Sequence, residues 1–236
     1  MRTALPSPAE PATARDPMRF APHGAMRLDA AAAAGLSDIE TAISPLSAYR
    51  PGLRLKGVAG LDRLLGPHGA IGSSVAPFAG EGARPVRAIL FDKSPAANWS
   101  LAWHQDRTIC VRERREAPGF GPWTVKAGLL HVAPPFDLLA RMVTIRIHLD
   151  DVPADNAPLL IAPGSHHFGL VREDAIDAVV ERCGVHACEA RAGDIWVYAT
   201  PILHASEAAA VPRRRRVLQI DYAAFDLPGG LLWSGI

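Results

Sequence analysis

The sequence has little cysteine, no long apolar run and almost no net charge, and each shortage argues against a class of protein. Its 236 residues hold three cysteines without CxxC spacing, which fits reduced thiols better than a disulfide framework. No apolar run reaches the roughly 18 residues that a membrane-spanning helix requires. The formal net charge of +1 argues against a dedicated nucleic-acid binder. We therefore expect a cytoplasmic protein with a small-molecule partner, no membrane or nucleic-acid partner, and no readable signal for oligomeric state.

The amino-acid composition divides the chain into a short leader and one long domain. Residues 1–24 are rich in proline and alanine and lack the apolar segment of a secretory signal, so a flexible leader is predicted there. Residues 25–236 have the length of one β domain, and 49% of the whole chain is apolar, which is enough for a sizeable core. No internal repeat or interdomain linker interrupts this part of the sequence.

Short apolar runs separated by turn residues begin near residue 86. The clearest is 142–149, where the apolar side chains alternate with Thr144, Arg146 and His148, as in a strand with one buried face. Other predicted strands cover residues 86–91, 101–104, 108–112, 159–162, 195–198, 202–206 and 216–222. This pattern predicts a mainly β fold, a cupin-like double-stranded β-helix or jelly roll.

Helices are predicted mostly at the start of the chain, as a cover over the barrel. Residues 28–43 are alanine-rich and end before Pro45, and 52–66 have largely helical apolar spacing. Residues 172–183 predict one further helix. The segment 114–135 holds several prolines and glycines, and a loop of this length is typical of an active-site lid.

Three side chains form a candidate metal site. His104 and Asp106 are two residues apart, so on a strand they project from the same face. A second histidine, His204, follows about one hundred residues later, on a strand that can face the first across a barrel mouth. Two histidines and one carboxylate form the facial triad that leaves positions open on Fe(II).

Four consecutive arginines, Arg213–Arg216, follow His204. A basic run is usually a solvated face, but a strand turns alternate side chains inward. An inward arginine near a metal can hold a carboxylate through two parallel hydrogen bonds. Lys93, Arg54 and Lys56 are further basic residues that could reach an anionic ligand, and solvated charges are the alternative for the last two.

Taken together, the motifs of residues 86–224 resemble the phytanoyl-CoA dioxygenase family of Fe(II)/2-oxoglutarate-dependent oxygenases. Their order and spacing carry the resemblance, which no single motif would. The motifs are Ile89-Leu90-Phe91-Asp92-Lys93-Ser94-Pro95, Trp103-His104-Gln105-Asp106, Leu149-Asp150-Asp151, Asn156-Ala157-Pro158-Leu159, Pro163-Gly164-Ser165-His166, Gly193-Asp194, His204-Ala205-Ser206 and Arg215.

The resemblance implies a role for each matching residue. His104, Asp106 and His204 would be the iron ligands, and Arg215 would pair with the distal carboxylate of 2-oxoglutarate. Ser206 would help to hold that carboxylate. Gln105, Ile89 and Arg146 match further positions that line the cosubstrate site. Relatives often have an aromatic residue where Arg146 stands, so its role here stays open.

The resemblance also implies the cofactors and the reaction, namely Fe(II), 2-oxoglutarate and O2. It implies hydroxylation of an unidentified small organic molecule, with release of succinate and CO2. In halogenating relatives a small residue replaces the carboxylate ligand, so Asp106 favours hydroxylation. Two alternatives stay open, a cupin-like metalloenzyme that does not use 2-oxoglutarate and a non-catalytic ligand-binding barrel.

Overall fold

The computed structural model describes residues 18–46 and 52–236, and the chain there forms three antiparallel sheets. The strands are β1 (Ala25–Leu28), β2 (Leu53–Leu55), β3 (Arg84–Lys93), β4 (Leu101–His104), β5 (Ile109–Val111), β6 (Trp123–Lys126), β7 (Leu129–Val132), β8 (Val143–His148), β9 (Leu159–Ile161), β10 (His186–Cys188), β11 (Ile195–Ala199), β12 (His204–Ser206) and β13 (Arg215–Ala223). The α-helices are α1 (Phe20–His23), α2 (Leu36–Ile43), α3 (Leu61–Leu65), α4 (Ala76–Ala79), α5 (Phe136–Ala140) and α6 (Ile176–Cys183).

Two of the sheets pack face to face and form the barrel. The larger has the strand order β1-β11-β8-β13-β3-β2, and the smaller has the order β10-β9-β12-β4. Leu159 and Ile161 of the small sheet share a buried cluster with Trp196 and Tyr198 of the large one. This arrangement of antiparallel sheets confirms the predicted jelly roll. The third sheet, β5-β7-β6, packs beside the barrel mouth with its own core.

The outer face of the large sheet is apolar and is covered by the N-terminal helices. Ile145 and Ile147 of β8 and Leu218 and Ile220 of β13 pack in one buried cluster with Ile39 of α2 and with α3. The predicted helical cover is therefore present. Because side chains alternate along a strand, the polar residues between these apolar ones point into the barrel.

The inner face of the large sheet is consequently a grid of polar and aromatic side chains. The register places Asp221 between Thr144 and Arg87, and Gln219 between Arg146 and Ile89. Toward the start of β13, Val217 lies between His148 and Phe91, and Arg215 lies opposite Lys93. These inner-face side chains of β3, β8 and β13 together form one wall of the active-site cavity.

Several predicted elements near the N-terminus differ from the structure. The predicted helix over residues 28–43 is wrong in its first part, because Ala25–Leu28 is a strand that pairs with β11. Ala30 has a positive φ of 52°, which is incompatible with a right-handed helix. Over 52–66, β2 pairs with β3 before α3 begins. The predicted leader, 1–24, lies outside the described residues up to residue 17, and its end forms α1.

The predicted lid, 114–135, contains a hairpin rather than a continuous loop. Lys126 of β6 pairs with Leu129 of β7, which leaves a two-residue turn of Ala127 and Gly128. Both have positive φ, 49° and 77°, the conformation that tight hairpin turns require. Further along the chain, α6 begins at Ile176 rather than Arg172, after a 3-10 turn over Glu173–Ala175.

Candidate active site

His104, Asp106 and His204 come together at the mouth of the barrel. His104 at the end of β4 is the direct cross-strand partner of His204 at the start of β12. Their ring centroids are 4.2 Å apart, and Asp106 follows two residues after His104. One ligand atom from each side chain lies within 4.8 Å of the other two. Two nitrogens and one carboxylate oxygen at this spacing suit a divalent iron ion.

Backbone carbonyls orient both histidines toward the centre of the triad. Nδ1 of His104 is 2.8 Å from the carbonyl oxygen of Ala102, and Nδ1 of His204 is 3.0 Å from that of Ile202. If Nδ1 donates in each ring, Nε2 keeps its lone pair for a metal. Burial and the neighbouring His104 lower the pKa of His204 to about 4, so the ring is neutral at pH 7, as a metal ligand must be.

A buried arginine braces the carboxylate of the triad. Arg87 on β3, only 6% exposed, donates to Oδ2 of Asp106 over 3.3 Å and to Oδ2 of Asp221 over 2.5 Å. Oδ1 of Asp221 accepts from the hydroxyl of Thr144, which lies 3.0 Å from that of Thr200. Burial favours the protonated form of Asp106, but Arg87 and the two histidines outweigh it and lower the pKa of this carboxyl.

Sequence reasoning missed Arg87 and Asp221. Arg87 lies two residues before Ile89, on the same face of β3, so the alternation of that strand was the signal that could have found it. Asp221 lies two residues after Gln219 on β13. No sequence motif identifies the contacts of these two side chains, because their partners lie on strands far away in sequence.

We expect Arg87→Met to weaken Fe(II) binding by about 10–100-fold, as is usual when a group that orients a metal ligand is lost. The physical reason is that Oδ2 of Asp106 loses its donor and the carboxylate can rotate. A spectroscopic Co(II) titration measures the affinity, and Arg84→Met, at the start of the same strand and paired with exposed Asp226, is the control. The positive charge of Arg87 by itself repels a metal ion, so a variant that only loses this charge should bind Fe(II) more tightly. Unchanged or tighter Fe(II) binding would therefore contradict the role of Arg87 in holding Asp106.

The far end of the barrel interior is strongly basic. Arg215, 2% exposed, donates through one terminal nitrogen to the carbonyl of Ala157, and its Nε is buried with no partner in the described chain. Arg146, 6% exposed, donates to Oε1 of Gln219 over 2.9 Å, and its Nε is also without a partner there. Burial and the charge of Arg146 lower the pKa of Arg215 to about 9, which a bound anion would reverse.

Ser206 and Lys93 join this end of the cavity to β12, the strand that begins at His204. Nζ of Lys93 donates to the hydroxyl of Ser206 over 3.0 Å and to two backbone carbonyls, those of Trp99 and Glu207. Burial, then the charges of Arg215 and Arg146, lower the pKa of Lys93 to about 7. The ammonium of Lys93 therefore donates to neutral hydroxyl and carbonyl oxygens, whereas Arg215 and Arg146 each keep a buried Nε that, within the described chain, is free to donate to a ligand.

The remaining site predictions fall at the cavity wall. Ile89, 7% exposed, lies beside Gln219. Gln105 also reaches the wall, but its amide is used by the scaffold, because it donates to the carbonyls of Gly169 and Pro201 and accepts from the backbone N–H of Val171. Gln105 can thus line the cavity, while its donors hold two loops together.

The other arginines of the basic run point away from the site. Arg213 pairs with Asp155, Arg214 with Asp92, and Arg216 with Asp150 and Glu40. Within β13, Arg215 points inward and Arg216 outward, as alternation along a strand requires, whereas Arg213 and Arg214 precede the strand. Within the predicted lid, His131 on β7 is buried, with its Nε2 3.0 Å from Sγ of Cys110.

One cavity of about 1050 Å³ contains the triad and the basic end. Besides these residues, aromatic and apolar side chains line it, including Phe91, Trp99, Trp103 and Ile176. The volume is at the upper end of what small-ligand sites occupy, so it has room for two small molecules side by side. No helix within the two described ranges is both long and apolar enough to cross a membrane.

A jelly roll with a His-Asp-His centre and a buried arginine is the architecture of a non-haem iron oxygenase. The family model of phytanoyl-CoA dioxygenase (PhyH) matches residues 72–217, more than half of the chain. The chain belongs to this family, as the sequence motifs predicted, and the coarse class of the protein, a dioxygenase-type enzyme, follows. The triad fits the Fe(II) that the family uses, and Arg215 and Arg146, each with a buried Nε that lacks a partner among the described residues, fit 2-oxoglutarate.

Solved structures show the same fold at low identity. EctD from S. alaskensis, with 2-oxoglutarate and 5-hydroxyectoine, has a TM-score of 0.64 and 16% identity over 95% of this chain and 83% of its own. SnoK, a carbocyclase from nogalamycin biosynthesis, has a TM-score of 0.63 and 16% identity over 97% and 91%. HygX from Streptomyces hygroscopicus, with nickel and 2-oxoglutarate, has 0.59 and 13% over 88% and 85%. Among curated proteins, no match is found.

Proposed function

We propose that this chain is an Fe(II)- and 2-oxoglutarate-dependent dioxygenase that hydroxylates a small organic molecule. The observation that carries the proposal is the presence, in one cavity, of the His104–Asp106–His204 triad and a buried Arg215 with a free donor. A metal site alone would serve a cupin-like enzyme equally well. Only a cosubstrate with a distal carboxylate needs the arginine as well.

Each residue then has a physical task. His104, Asp106 and His204 hold the iron on one face, and Arg87 keeps the carboxylate ligand in place. Arg215 binds the distal carboxylate of 2-oxoglutarate, with the hydroxyl of Ser206 beside it. The buried position of Arg215 strengthens this ion pair, since little water competes for either charge. When bound, iron and 2-oxoglutarate activate dioxygen.

The side chains around the triad protect the reaction and hold the substrate. Trp99, Trp103 and Phe91 line the cavity next to the polar residues. Apolar walls of this kind exclude water from the reacting atoms and leave C–H bonds of a substrate against the metal face. SnoK is a carbocyclase and the EctD structure holds 5-hydroxyectoine, so this fold carries more than one oxidative outcome. The carboxylate ligand Asp106 favours hydroxylation over halogenation, and the product of the reaction distinguishes hydroxylation from ring closure.

The test is the stoichiometry of the reaction. For each C–H bond hydroxylated, 2-oxoglutarate, O2 and substrate should give succinate, CO2 and the alcohol. We expect the iron-loaded protein to form succinate slowly from 2-oxoglutarate in air even without substrate, and to incorporate label from 18O2 into succinate. Asp106→Ala should form none. A wild-type protein that binds iron yet never forms succinate would favour the cupin-like alternative.

A further inference from the structure

Two basic side chains line the cavity at a place that neither the metal nor the cosubstrate requires. Arg54 is the middle residue of β2, the edge strand of the large sheet, and Lys126 ends β6 in the neighbouring three-stranded sheet. Both line the same cavity as the triad. They come from two different sheets, the large sheet and the three-stranded sheet beside it.

The strand register places Arg54 close to the metal side of the cavity. Arg54 lies directly opposite Ile89 on β3, so its side chain shares the inner face of the sheet with Ile89. Arg87, which holds Asp106, is the diagonal neighbour of Arg54, and diagonal pairs of this kind have their Cα atoms about 7–8 Å apart. Gln219 and Arg146, where the cosubstrate is expected, lie on the other side of β3.

Neither of these cations is neutralised by the described residues. No carboxylate within residues 18–46 and 52–236 lies within 4.0 Å of Arg54 or Lys126, and the Nε of Arg54 is buried without a hydrogen-bond partner there. By contrast, Arg87 has two aspartates, and Arg107 has the carbonyl of Val171 and the carboxylate of Glu173. Arg215 and Arg146 also keep a buried Nε without a partner among the described residues, at the end of the cavity where the cosubstrate is expected. A buried guanidinium nitrogen with no partner is costly and indicates a missing ligand.

Their effect on a nearby group supports this placement. Burial lowers the pKa of His131, and the charges of Arg87, Arg54 and Lys126 lower it further. Three cations therefore act on one buried side chain at this wall. An anion bound between Arg54 and Lys126 would counter the positive charge that they place at this wall.

We propose that Arg54 and Lys126 form an oxyanion subsite that binds the carboxylate or phosphate group of an anionic substrate. The proposal rests on the proposed function and adds the substrate class to it. An anion held there leaves the rest of a small molecule lying past Ile89 toward the triad, where Arg87 holds Asp106. The guanidinium supplies directed donors and the ammonium, exposed at the hairpin end, supplies a second charge.

The experiment measures binding of inorganic phosphate by titration calorimetry to the anaerobic protein loaded with Fe(II) and 2-oxoglutarate, so that Arg215 is already occupied. We expect Arg54→Gln to weaken phosphate binding about tenfold or more, and Lys126→Gln to weaken it severalfold, the loss usual for a charge-assisted contact. Arg63→Gln, an exposed arginine paired with Asp38 on α2, is the control and should bind as wild type does. Wild-type affinity in Arg54→Gln would overturn the proposal.

Two further arms separate this subsite from the cosubstrate site. In the metal-free protein, where phosphate can also reach Arg215, the Arg215→Gln variant should still bind phosphate and the double variant Arg54→Gln/Arg215→Gln should not, and this result does not depend on whether 2-oxoglutarate is the cosubstrate. A steep rise in the 2-oxoglutarate requirement of Arg54→Gln would overturn the proposal, because it would assign Arg54 to the cosubstrate. Acetate in place of phosphate distinguishes the two oxyanions, and a wild-type protein that binds neither would also overturn it.

Discussion

Asp106→Ala and His204→Ala should each lose more than about 100-fold in Fe(II) affinity and all measurable turnover. Each removes one of three protein ligands, which is a larger change than the 10–100-fold that outer residues cause. The Asp106 variant also leaves Arg87 without one of its two carboxylate partners. Metal binding is measured by anaerobic equilibrium titration and turnover by succinate formation.

Matched variants separate ligand loss from general damage. His186→Ala removes a half-buried histidine on β10, and Asp177→Asn changes a carboxylate of the same cavity that is outside the triad. Both should bind iron as wild type does. Full iron affinity in Asp106→Ala or His204→Ala would remove that residue from the metal site.

Arg215→Gln should raise the 2-oxoglutarate concentration needed for half-maximal turnover by about 10–150-fold, which corresponds to about 1.5–3 kcal/mol for a charge-assisted contact. Iron affinity should change little, because Arg215 makes no contact with the triad in the structure. The measurement is the dependence of the rate of succinate formation on 2-oxoglutarate.

The neighbouring arginine is the natural control for this variant. Arg216 follows Arg215 on β13 but points outward, where it pairs with Asp150 and Glu40. Arg216→Gln removes the same charge from the same strand and should leave the 2-oxoglutarate requirement unchanged. If the two variants behave alike, the requirement reflects net charge near the barrel, and Arg215 is not the clamp.

The parts of the fold that could be predicted are those with a strong local pattern. The alternation of residues 143–148 identified β8 and its polar inner face, and the spacing of the later motifs identified the jelly roll. Short elements near the N-terminus could not be predicted in this way, because β1 and β2 have only four and three residues and exist through pairing with β11 and β3. The composition of these segments favours a helix, but their pairing with neighbouring strands determines the structure that they adopt.

The candidate site divides along the same line. His104, Asp106 and His204 could be found because two of them share one tripeptide and the third lies in a recognisable motif. Arg215 was singled out from its three neighbours by the family resemblance, because alternation along a strand alone would turn Arg213 to the same face as Arg215. The sequence could name Arg54 as a candidate, and the alternation of β3 could have placed Arg87 on the inner face. The partners of Arg87, Asp221 and Arg54 required the register of β2, β3 and β13, which no local pattern of the sequence encodes.

The most direct test of the whole account is an anaerobic titration of the metal-free protein with Fe(II) and then 2-oxoglutarate. The account predicts a weak visible metal-to-ligand charge-transfer band that appears only when both are present. The band should be lost in His204→Ala and should need much more 2-oxoglutarate in Arg215→Gln. A wild-type protein that binds Fe(II) tightly but develops no such band at saturating 2-oxoglutarate would contradict it.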